Sequence, residues 1–447
     1  MKKYDVVVIG GSASGIATAI TGKNAYPKKS FLIIRKEQQA IVPCGIPYIF
    51  GTLHNTQKDV ISDEVFKKNN IQVKIDEVTD VRVEKKICTT KDGTEIKYEK
   101  LVLATGSEAY IPSWLHGTEK ENVFIIPKNK CYLDTLSTKL EKIKNVVIIG
   151  GGFIGVETSD ELQKNSKKVT IVEKLPHILG TAFDDEICEQ IESKLKERHV
   201  ELKTGVGVTK ILGDIKAAGV ELENGETIDA DAVILTMGYK PNTTLASEMG
   251  LSVNEKGFIR VDEYMHTDNH DIMAVGDCAE KRDFITRKIS PTMLASTACA
   301  EARIAGMNLF RLSAMKTFSG TIAIFSTALG DTGYGVAGVT EKIATREQFD
   351  VVTGSFTGVD KHPGTMPGVH KQTVKLIAAR EGGLIIGGEV IGGISTGELT
   401  NIIGFIIQNK MTVNNILTAQ IGTHPLVTAP PTAYPLIKAA EVIAQKL

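Results

Sequence analysis

The stretch Asn145-Val146-Val147-Ile148-Ile149-Gly150-Gly151-Gly152-Phe153-Ile154-Gly155 decides the fold of this chain. Residues 146–149 are β-branched and apolar, which predicts a buried strand, and the glycines that follow predict a tight turn into a helix. Such a turn lets the backbone approach a pyrophosphate, which then lies at the positive end of the helix. The stretch therefore predicts a dinucleotide-binding unit, and an ordinary tight connection is the alternative.

The strand that follows this helix supports the same interpretation. Val169-Thr170-Ile171-Val172 leads into Glu173, at the place where a carboxylate accepts hydrogen bonds from a ribose diol. A 2′-phosphate beside that carboxylate would be repelled, so the sequence predicts NADH as the nucleotide. NADPH stays open as the alternative, because Lys174 supplies a neighbouring positive charge.

An earlier copy of the same unit opens the chain. The strand Tyr4–Ile9 is followed by Gly10-Gly11-Ser12-Ala13-Ser14-Gly15, with Ser12 at the position of the middle glycine. The residue that matches Glu173 is Arg35, and a guanidinium cannot accept a hydrogen bond from a ribose hydroxyl. Either Glu37 takes over this role, or backbone groups and a cation hold the adenosine end.

Length and charge limit the class of protein. A chain of 447 residues is long enough for two or three domains, and 52 basic against 53 acidic residues leave no global field for nucleic acid or an anionic membrane. The chain has no apolar run of the ~20 residues that a membrane helix needs, and its start does not resemble a signal peptide. We therefore expect a cytoplasmic protein with small-molecule partners.

The chain has six cysteines, and none of them forms a C-x-x-C pair, which argues against a zinc site and against a disulfide framework. Cys44 stands apart because it lies in Pro43-Cys44-Gly45-Ile46-Pro47-Tyr48, at a predicted helix start. Backbone N–H groups and the positive helix end would favour its thiolate, which is the reactive form. The alternative is a small buried hydrophobic residue. The other five cysteines are interpreted as structural.

Two further segments complete a family pattern. Leu101-Val102-Leu103-Ala104-Thr105-Gly106 and Ile272-Met273-Ala274-Val275-Gly276-Asp277 are apolar strands that end in small or acidic turns. Together with the two glycine turns, they resemble the pyridine nucleotide-disulfide oxidoreductases, and the resemblance covers nearly the whole chain. It implies an α/β fold with two Rossmann-like dinucleotide-binding domains and an α+β C-terminal domain. The implied boundaries are 1–112 with 248–318 for FAD, 113–247 for NAD(P)H, and 319–447 for dimerisation.

The resemblance also implies which residues contact the cofactors. Asp277 matches the residue that binds the flavin ribityl chain, and Phe153 matches a movable cover of the nicotinamide site. The implied FAD contacts are Gly10, Ser12, Ala13, Ser14, Gly15, Arg35, Lys36, Pro43, Ala104, Thr105, Gly106, Gly276, Asp277 and Ala295. The implied NAD(P)H contacts are Gly150, Gly152, Phe153, Ile154, Gly155, Glu157, Glu173 and Gly238.

Within the family, Cys44 selects a branch. Members that use a disulfide carry two cysteines five positions apart, whereas this chain has Gln39 and Ile49 there. The single-cysteine branch carries Cys-Gly-x-Pro-Tyr, as in Cys44–Tyr48. Its peroxidases and water-forming oxidases have a histidine at the position of Ala13, so the small residue favours the coenzyme A-disulfide and sulfur reductases.

The C-terminal region departs from those reductases. His362 and Thr432 stand where coenzyme A-disulfide reductases have tyrosine, which weighs against coenzyme A disulfide as the substrate, although Tyr434 is a substitute for one of them. His424-Pro425 resembles the motif by which the two-cysteine branch delivers an acid/base histidine from the other subunit. His424 is therefore a predicted catalytic acid, with a purely structural role as the alternative.

The sequence thus predicts a homodimeric FAD enzyme that uses NADH to reduce a disulfide, persulfide or polysulfide through Cys44. Coenzyme A is a candidate small-molecule partner, and nucleic acid and membranes are not expected as partners. The alternatives are an NADH oxidase that reduces oxygen and an electron-transfer reductase of a small redox protein. A non-enzymatic NADH or redox sensor on the same fold is a further alternative.

Overall fold

The computed structural model describes residues 1–316 and 319–447. The predicted end of the FAD-binding segment at residue 318 lies outside the described residues, and the exact domain boundaries remain predictions. Within the described ranges, none of the helices is both long enough and apolar enough to cross a membrane.

The first 112 residues form most of a Rossmann-like sheet. Its parallel strands run in the order β3-β2-β1-β6, and an antiparallel hairpin of β5 and β4 continues it beyond β6. Residues alternate between two apolar cores along β1, with Val6 and Val8 on one face and Val7 and Ile9 on the other. The elements are β1 (Lys2–Ile9), α1 (Ala13–Ala25), β2 (Phe31–Arg35), α2 (Glu64–Lys68), β3 (Ile71–Ile75), β4 (Val78–Arg82), β5 (Ile87–Thr90), β6 (Glu95–Leu103) and β7 (Ser107–Ala109).

A second sheet of five parallel strands follows, in the order β11-β10-β9-β15-β8. Its central strand is buried over four successive residues, as expected for a parallel sheet that is covered on both faces. The elements are β8 (Val123–Ile125), α3 (Lys130–Glu141), β9 (Asn145–Ile149), α4 (Phe153–Lys164), β10 (Lys168–Glu173), α5 (Asp185–Glu197), β11 (Val200–Thr204), β12 (Val208–Leu212), β13 (Gly219–Leu222), β14 (Thr227–Asp229), β15 (Ala232–Leu235), β16 (Tyr239–Pro241) and α6 (Thr244–Glu248).

An antiparallel ribbon of β7 and β16 joins the two Rossmann-like units. The chain then returns to the first sheet, where β17 (Ile272–Ala274) adds beside β6 and α7 (Ala295–Asn308) packs against α1. Glycine permits this close helix packing, because a Cβ at Gly306 would lie 2.9 Å from the Thr18 carbonyl oxygen. The first unit is therefore built from two separate segments of sequence.

The C-terminal domain is an antiparallel sheet in the order β18-β19-β22-β21-β20, with helices packed against it. This architecture matches the predicted α+β domain. The elements are β18 (Ile324–Leu329), β19 (Thr332–Gly338), α8 (Glu341–Arg346), β20 (Val351–Val359), β21 (Lys371–Ala379), β22 (Ile385–Gly392), α9 (Thr396–Gln408), α10 (Val413–Leu417) and α11 (Pro435–Ala444).

A buried ion cluster fastens the C-terminal domain to the second unit. Lys375 on β21 lies 2.8 Å from Asp184, 3.0 Å from Glu341 and 3.7 Å from Glu389, and it also pairs with Glu186. Burial raises the pKa of Glu389 to about 8, and the neighbouring Asp184 carboxylate adds to the rise. Lys375 is thus the counter-charge for two buried carboxylates, Asp184 and Glu389, and it also pairs with the more exposed Glu186 and Glu341.

Replacement of this lysine tests the cluster. Loss of one partner from a buried ion pair typically costs about 3–5 kcal/mol, so Lys375→Met should lower the thermal unfolding midpoint measured by calorimetry. Without the cation the buried carboxylates resist ionisation, so the deficit should be larger at about pH 8 than at about pH 5. Lys371→Met, at an exposed position of the same strand, is the matched control, and equal effects of the two substitutions would contradict this role.

Candidate active site

The first glycine turn brings the ends of two parallel strands together. The Gly10 N–H donates to the Ile34 carbonyl at 2.8 Å, and a Cβ at Gly10 would lie 2.0 Å from the Ala104 carbonyl oxygen. Gly10 also has φ +118°, a conformation that favours glycine. Gly15 permits the approach of α1, since its Cβ would lie 2.1 Å from the Gly10 carbonyl oxygen.

The second turn repeats this geometry. A Cβ at Gly150 would lie 2.6 Å from the Thr236 carbonyl oxygen, and one at Gly155 would lie 2.1 Å from the Gly150 carbonyl oxygen. At Gly152, by contrast, a Cβ would meet no atom within 4 Å among the described residues. The missing side chain therefore leaves room at the start of α4, where a pyrophosphate would bind.

Ser12 occupies the equivalent place in the first turn. It is the N-cap of α1, and in the part of the chain that the structure describes its side chain makes no capping hydrogen bond. Its hydroxyl therefore remains available to a ligand phosphate. Ala13 and Ser14 form the first turn of α1, and a Cβ at Gly276 would lie 2.5 Å from the Ser14 hydroxyl oxygen. These residues fit the two dinucleotides that the sequence predicts.

The residues that end the second strand of each unit, Arg35 on β2 and Glu173 on β10, have different partners. Glu173 accepts hydrogen bonds from the N–H groups of Gly151 at 2.6 Å and Leu175 at 2.8 Å, so its carboxylate is fixed at the turn. Arg35 is buried and pairs bidentately with Asp63, and it is therefore committed to a protein partner. Lys36 is exposed and lies 2.5 Å from Glu77.

Asp277 lies in a polar cluster at the end of β17. Its Oδ2 accepts hydrogen bonds from Ser107 Oγ and Lys128 Nζ, both at 2.7 Å. Burial acts to raise the pKa of Asp277, but the Lys128 ammonium and the hydrogen bonds outweigh it and hold that pKa below its usual value. The lowered pKa favours the ionised form of Asp277, which can accept hydrogen bonds.

Other predicted contacts, from both units, lie in loops and at a helix start. Thr105 Oγ donates to the Asn242 carbonyl at 2.6 Å, and the Gly106 carbonyl accepts from the Asn242 N–H at 2.9 Å. Gly238 carries no close neighbour in the described ranges at the place where a Cβ would stand. Ala295 begins α7, on the side where that helix presents its N-terminus.

Cys44 lies in a short 3-10 helix, Pro43–Gly45, that precedes a second one, Pro47–Phe50. The residue is exposed, and four charged groups act on its thiol: Glu157, Lys128, Asp277 and Asp59. A Cβ at Gly45 would lie 1.9 Å from Asp59 Oδ1, so glycine is required next to the cysteine. Cys44 is therefore within electrostatic reach of both Glu157 on α4 and Asp277.

The prediction that a helix start favours the thiolate is wrong. Desolvation of the sulfur, followed by the Glu157 carboxylate, raises the pKa of Cys44, while the Lys128 ammonium opposes the rise. The local helix is a single turn of three residues, too short to develop an appreciable macrodipole. Desolvation therefore decides the direction of the pKa shift, and the surrounding carboxylates add to it.

The start of α4 is covered by the C-terminal domain. The Phe153 ring stacks on Phe325 of β18 with centroids 5.2 Å apart and an angle of 11° between the planes. Glu157 lies one turn further along α4 and accepts a hydrogen bond from Thr327 at 2.8 Å. Burial raises the pKa of Glu157 to about 7, although the bond from Thr327 lowers it. Ile154 packs into the core behind the helix.

The cysteine segment is also fastened to α4. Glu161, which is 1% exposed, accepts hydrogen bonds from the Thr52 N–H at 2.6 Å and from the Thr52 hydroxyl at 3.1 Å. Asn165 donates to the Phe50 carbonyl at 2.5 Å. These contacts fix the position of the cysteine relative to the nucleotide helix of the second unit.

Among the described residues, the C-terminal His362 and His424 make no hydrogen bond to Cys44 or to Asp277. His424 is exposed, and its Nδ1 accepts a hydrogen bond from the Leu426 N–H at 3.3 Å. His362 contacts the same segment through the Thr428 carbonyl, Thr432 is exposed, and Tyr434 is half-buried at the start of α11. Among the residues described, His424 makes no hydrogen bond outside the segment 424–428.

Several residues of the centre were not predicted from the sequence. Ser107 directly follows the predicted turn 104–106 and could have been found by extending that motif by one residue. Lys128 lies in a loop among other lysines, and Phe325 and Thr327 come from another domain. Asp59 is isolated in sequence. No local pattern identifies these four residues.

Comparison with known proteins agrees with this geometry. Residues 4–302 match the family model of the pyridine nucleotide-disulphide oxidoreductases, and residues 324–434 match the dimerisation domain of that family. The NAD(P)H coenzyme A polysulfide/persulfide reductase of Pyrococcus horikoshii is 32% identical over 87% of this chain and 88% of its own. The NADH oxidase of Methanocaldococcus jannaschii is 28% identical over 99% of both chains.

Among solved structures, the NAD-dependent persulfide reductase of A. fulgidus aligns with a TM-score of 0.91 and 27% identity, over 99% of this chain and 83% of that one. The family uses FAD and NAD(P)H, the two cofactors that the sequence predicts. With both glycine turns, the Asp277 cluster and the C-terminal sheet in place, the chain belongs to the pyridine nucleotide-disulphide oxidoreductase family of enzymes.

Proposed function

We propose that this chain uses NADH to reduce a disulfide, persulfide or polysulfide through Cys44. The observation that carries the proposal is the position of Cys44, which is exposed and lies within electrostatic reach of both Glu157 and Asp277. These two residues mark the nicotinamide and flavin sides of the centre. A thiol at that place can receive electrons from one side and meet a substrate on the other.

When bound, FAD would supply hydride acceptance from the nicotinamide and delivery of two electrons to sulfur. The residues of the chain hold the groups in place. The two glycine turns bind the pyrophosphates, Asp277 accepts hydrogen bonds from the ribityl chain while Ser107 and Lys128 hold its carboxylate, and Glu173 accepts from the nucleotide ribose. The stacked Phe153 and Phe325 close the nicotinamide side against water.

The sulfur step is a thiol exchange. The Cys44 thiolate attacks the sulfur–sulfur bond of the substrate, forms a mixed disulfide or persulfide, and releases the other sulfur as a thiolate. Two electrons then cleave the new bond, which releases the bound sulfur group as a second thiolate or as hydrosulfide and returns Cys44 to the thiolate. The raised pKa of Cys44 makes this thiolate basic and strongly nucleophilic, at the cost of a smaller ionised fraction at neutral pH.

A relative named as a polysulfide/persulfide reductase and a persulfide reductase structure support this substrate class. A second candidate function is an NADH oxidase, in which oxygen takes the electrons, and the relative from Methanocaldococcus jannaschii carries that name. Ala13 favours the first candidate, because it provides no acid where the peroxide-cleaving branch keeps histidine.

A homodimer is part of the proposal. The C-terminal domain exposes large apolar side chains, namely Ile394, Ile402, Phe405, Leu426 and Val427. Exposed apolar groups of this kind are typical of protein interfaces. In the proposed dimer, the segment with His424 reaches the Cys44 of the partner subunit and supplies a proton to the leaving sulfur.

Substitution of the cysteine separates the candidate functions. Cys44→Ser should abolish reduction of disulfide and polysulfide, because serine cannot form the mixed disulfide, while NADH still bleaches the flavin under anaerobic conditions. Cys131→Ser, at the other exposed cysteine, is the matched control and should leave turnover unchanged. Full polysulfide turnover by Cys44→Ser would exclude the proposed route.

Mixed dimers test whether His424 acts across the subunit boundary. Cys44→Ser and His424→Asn subunits should each be impaired alone, yet refolding them together should restore about one quarter of wild-type polysulfide activity, since half of the dimers then hold one intact site. If the mixture stays as inactive as its parents, His424 does not act in trans.

The pH dependence tests the carboxyl group on the nicotinamide side. Thr327→Val removes a hydrogen bond that lowers the pKa of Glu157, so that pKa should move upward from about 7. The rate of flavin reduction by NADH, followed by stopped flow, should show an inflection near this value that shifts to higher pH in the variant. Thr332→Val, on β19, is the control, and an unshifted profile in Thr327→Val would count against this contact.

A further inference from the structure

The two dinucleotide-binding units differ in the residue that ends their second strand, where a ribose diol would bind. In the second unit the residue at the end of its second strand is Glu173, whose carboxylate lies at the turn where a ribose diol binds. In the first unit the matching residue is Arg35. A ribose hydroxyl that donates to a carboxylate in one unit therefore has no acceptor at that position in the other.

Both strand-end side chains nonetheless lie against the second glycine of their turn. A Cβ at Gly151 would lie 3.1 Å from Glu173 Cβ, and a Cβ at Gly11 would lie 2.4 Å from Arg35 Cδ. Arg35 thus follows the same path as Glu173 and is longer. Its guanidinium extends beyond the place where the Glu173 carboxylate ends, and it meets a second residue there.

That residue is Asp63, which precedes α2. Arg35 Nη1 donates to Asp63 Oδ1 at 2.8 Å, and Nη2 donates to Oδ2 at 2.6 Å. The Arg35 side chain is 1% exposed, whereas the Asp63 side chain is 41% exposed. The pair therefore turns a carboxylate, and not the guanidinium, toward solvent at this edge of the first sheet.

We infer that Asp63 replaces the missing strand-end carboxylate and accepts hydrogen bonds from the adenosine ribose of FAD, with Arg35 as the residue that positions it. The inference rests on the proposed binding of FAD by the first unit. Each carboxylate oxygen keeps a lone pair after the bidentate contact, so one ion pair can hold the loop and still accept from a diol.

Glu37 is another carboxylate in the same region, and the sequence offered it for the same role. Arg35 donates through Nε to the Glu37 backbone carbonyl at 3.0 Å and through Nη2 to that of Gln38 at 2.9 Å. Within the described chain, the Glu37 side chain makes no hydrogen bond or ion pair. Arg35 thus holds the backbone of this loop and the side chain of Asp63. The carboxylate of Glu37 is not held by Arg35.

The test measures affinity and does not depend on turnover. FAD and a FAD analogue that lacks the 2′-hydroxyl of the adenosine ribose are titrated into the deflavinated full chain, with flavin fluorescence as the signal. For the unsubstituted chain we expect the analogue to bind on the order of tenfold more weakly, the effect of one hydrogen bond to a charged group. Asp63→Asn should weaken FAD binding to a similar extent and should no longer distinguish the two ligands.

Glu37→Gln is the matched control and should keep both the affinity and the discrimination. Loss of discrimination in Glu37→Gln instead of Asp63→Asn would assign the ribose contact to Glu37 and overturn the inference. If Asp63→Asn weakens both ligands equally and preserves their ratio, Asp63 only supports the loop, and the inference fails. A thermal unfolding midpoint close to that of the unsubstituted chain shows that the variant is folded.

Failure of the proposed function gives a different result. In that case the unsubstituted chain itself would bind no FAD, or would bind both ligands without electron transfer from NADH. The ratio of the dissociation constants for FAD and its analogue therefore reports on Asp63 alone. Arg35→Gln is a second test. It frees the Asp63 loop without removal of the carboxylate, so the affinity ratio between FAD and its analogue should fall.

Discussion

The approach of a glycine turn to the end of a neighbouring strand is the constraint on which this structure depends. At both turns a Cβ on the first glycine would collide with a carbonyl oxygen of the adjacent strand connection, that of Ala104 in one unit and of Thr236 in the other. Because each helix start is fixed at a switch point of its sheet, a pyrophosphate has one place to bind in each unit. The relative position of the two cofactors follows from these two points and from the short ribbon that joins the units.

The position of Cys44 is fixed relative to that framework. Cys44 lies on a segment that is tied to α4 of the other unit through Thr52 and Glu161, so its distance from the nicotinamide side is set by protein contacts. The C-terminal domain contributes Phe325 and Thr327 to the same helix, and Lys375 fastens that domain in place. Nucleotide site, sulfur site and C-terminal domain are thus parts of one connected centre.

Much of this arrangement is encoded locally and could be predicted from the sequence. The strand, glycine turn and helix of each unit, the Asp277 turn and the cysteine motif each occupy a few consecutive residues. What could not be predicted depends on contacts between distant segments, such as Lys128 with Asp277 or Thr327 with Glu157. The pKa of Cys44 illustrates the difference, because its sequence neighbours suggest a lowered value, whereas desolvation of the sulfur and carboxylates from three other segments raise it.

The central claim is that Cys44 takes a sulfur group from the substrate and that electrons from NADH then release this group from Cys44. The intact mass of the protein, treated anaerobically with polysulfide and then with NADH, tests it most directly. We predict that the first treatment adds the mass of one or more sulfur atoms at Cys44, identified by peptide mapping, and that NADH removes it. A Cys44 that gains no sulfur, or an adduct that NADH leaves unchanged, would contradict the account.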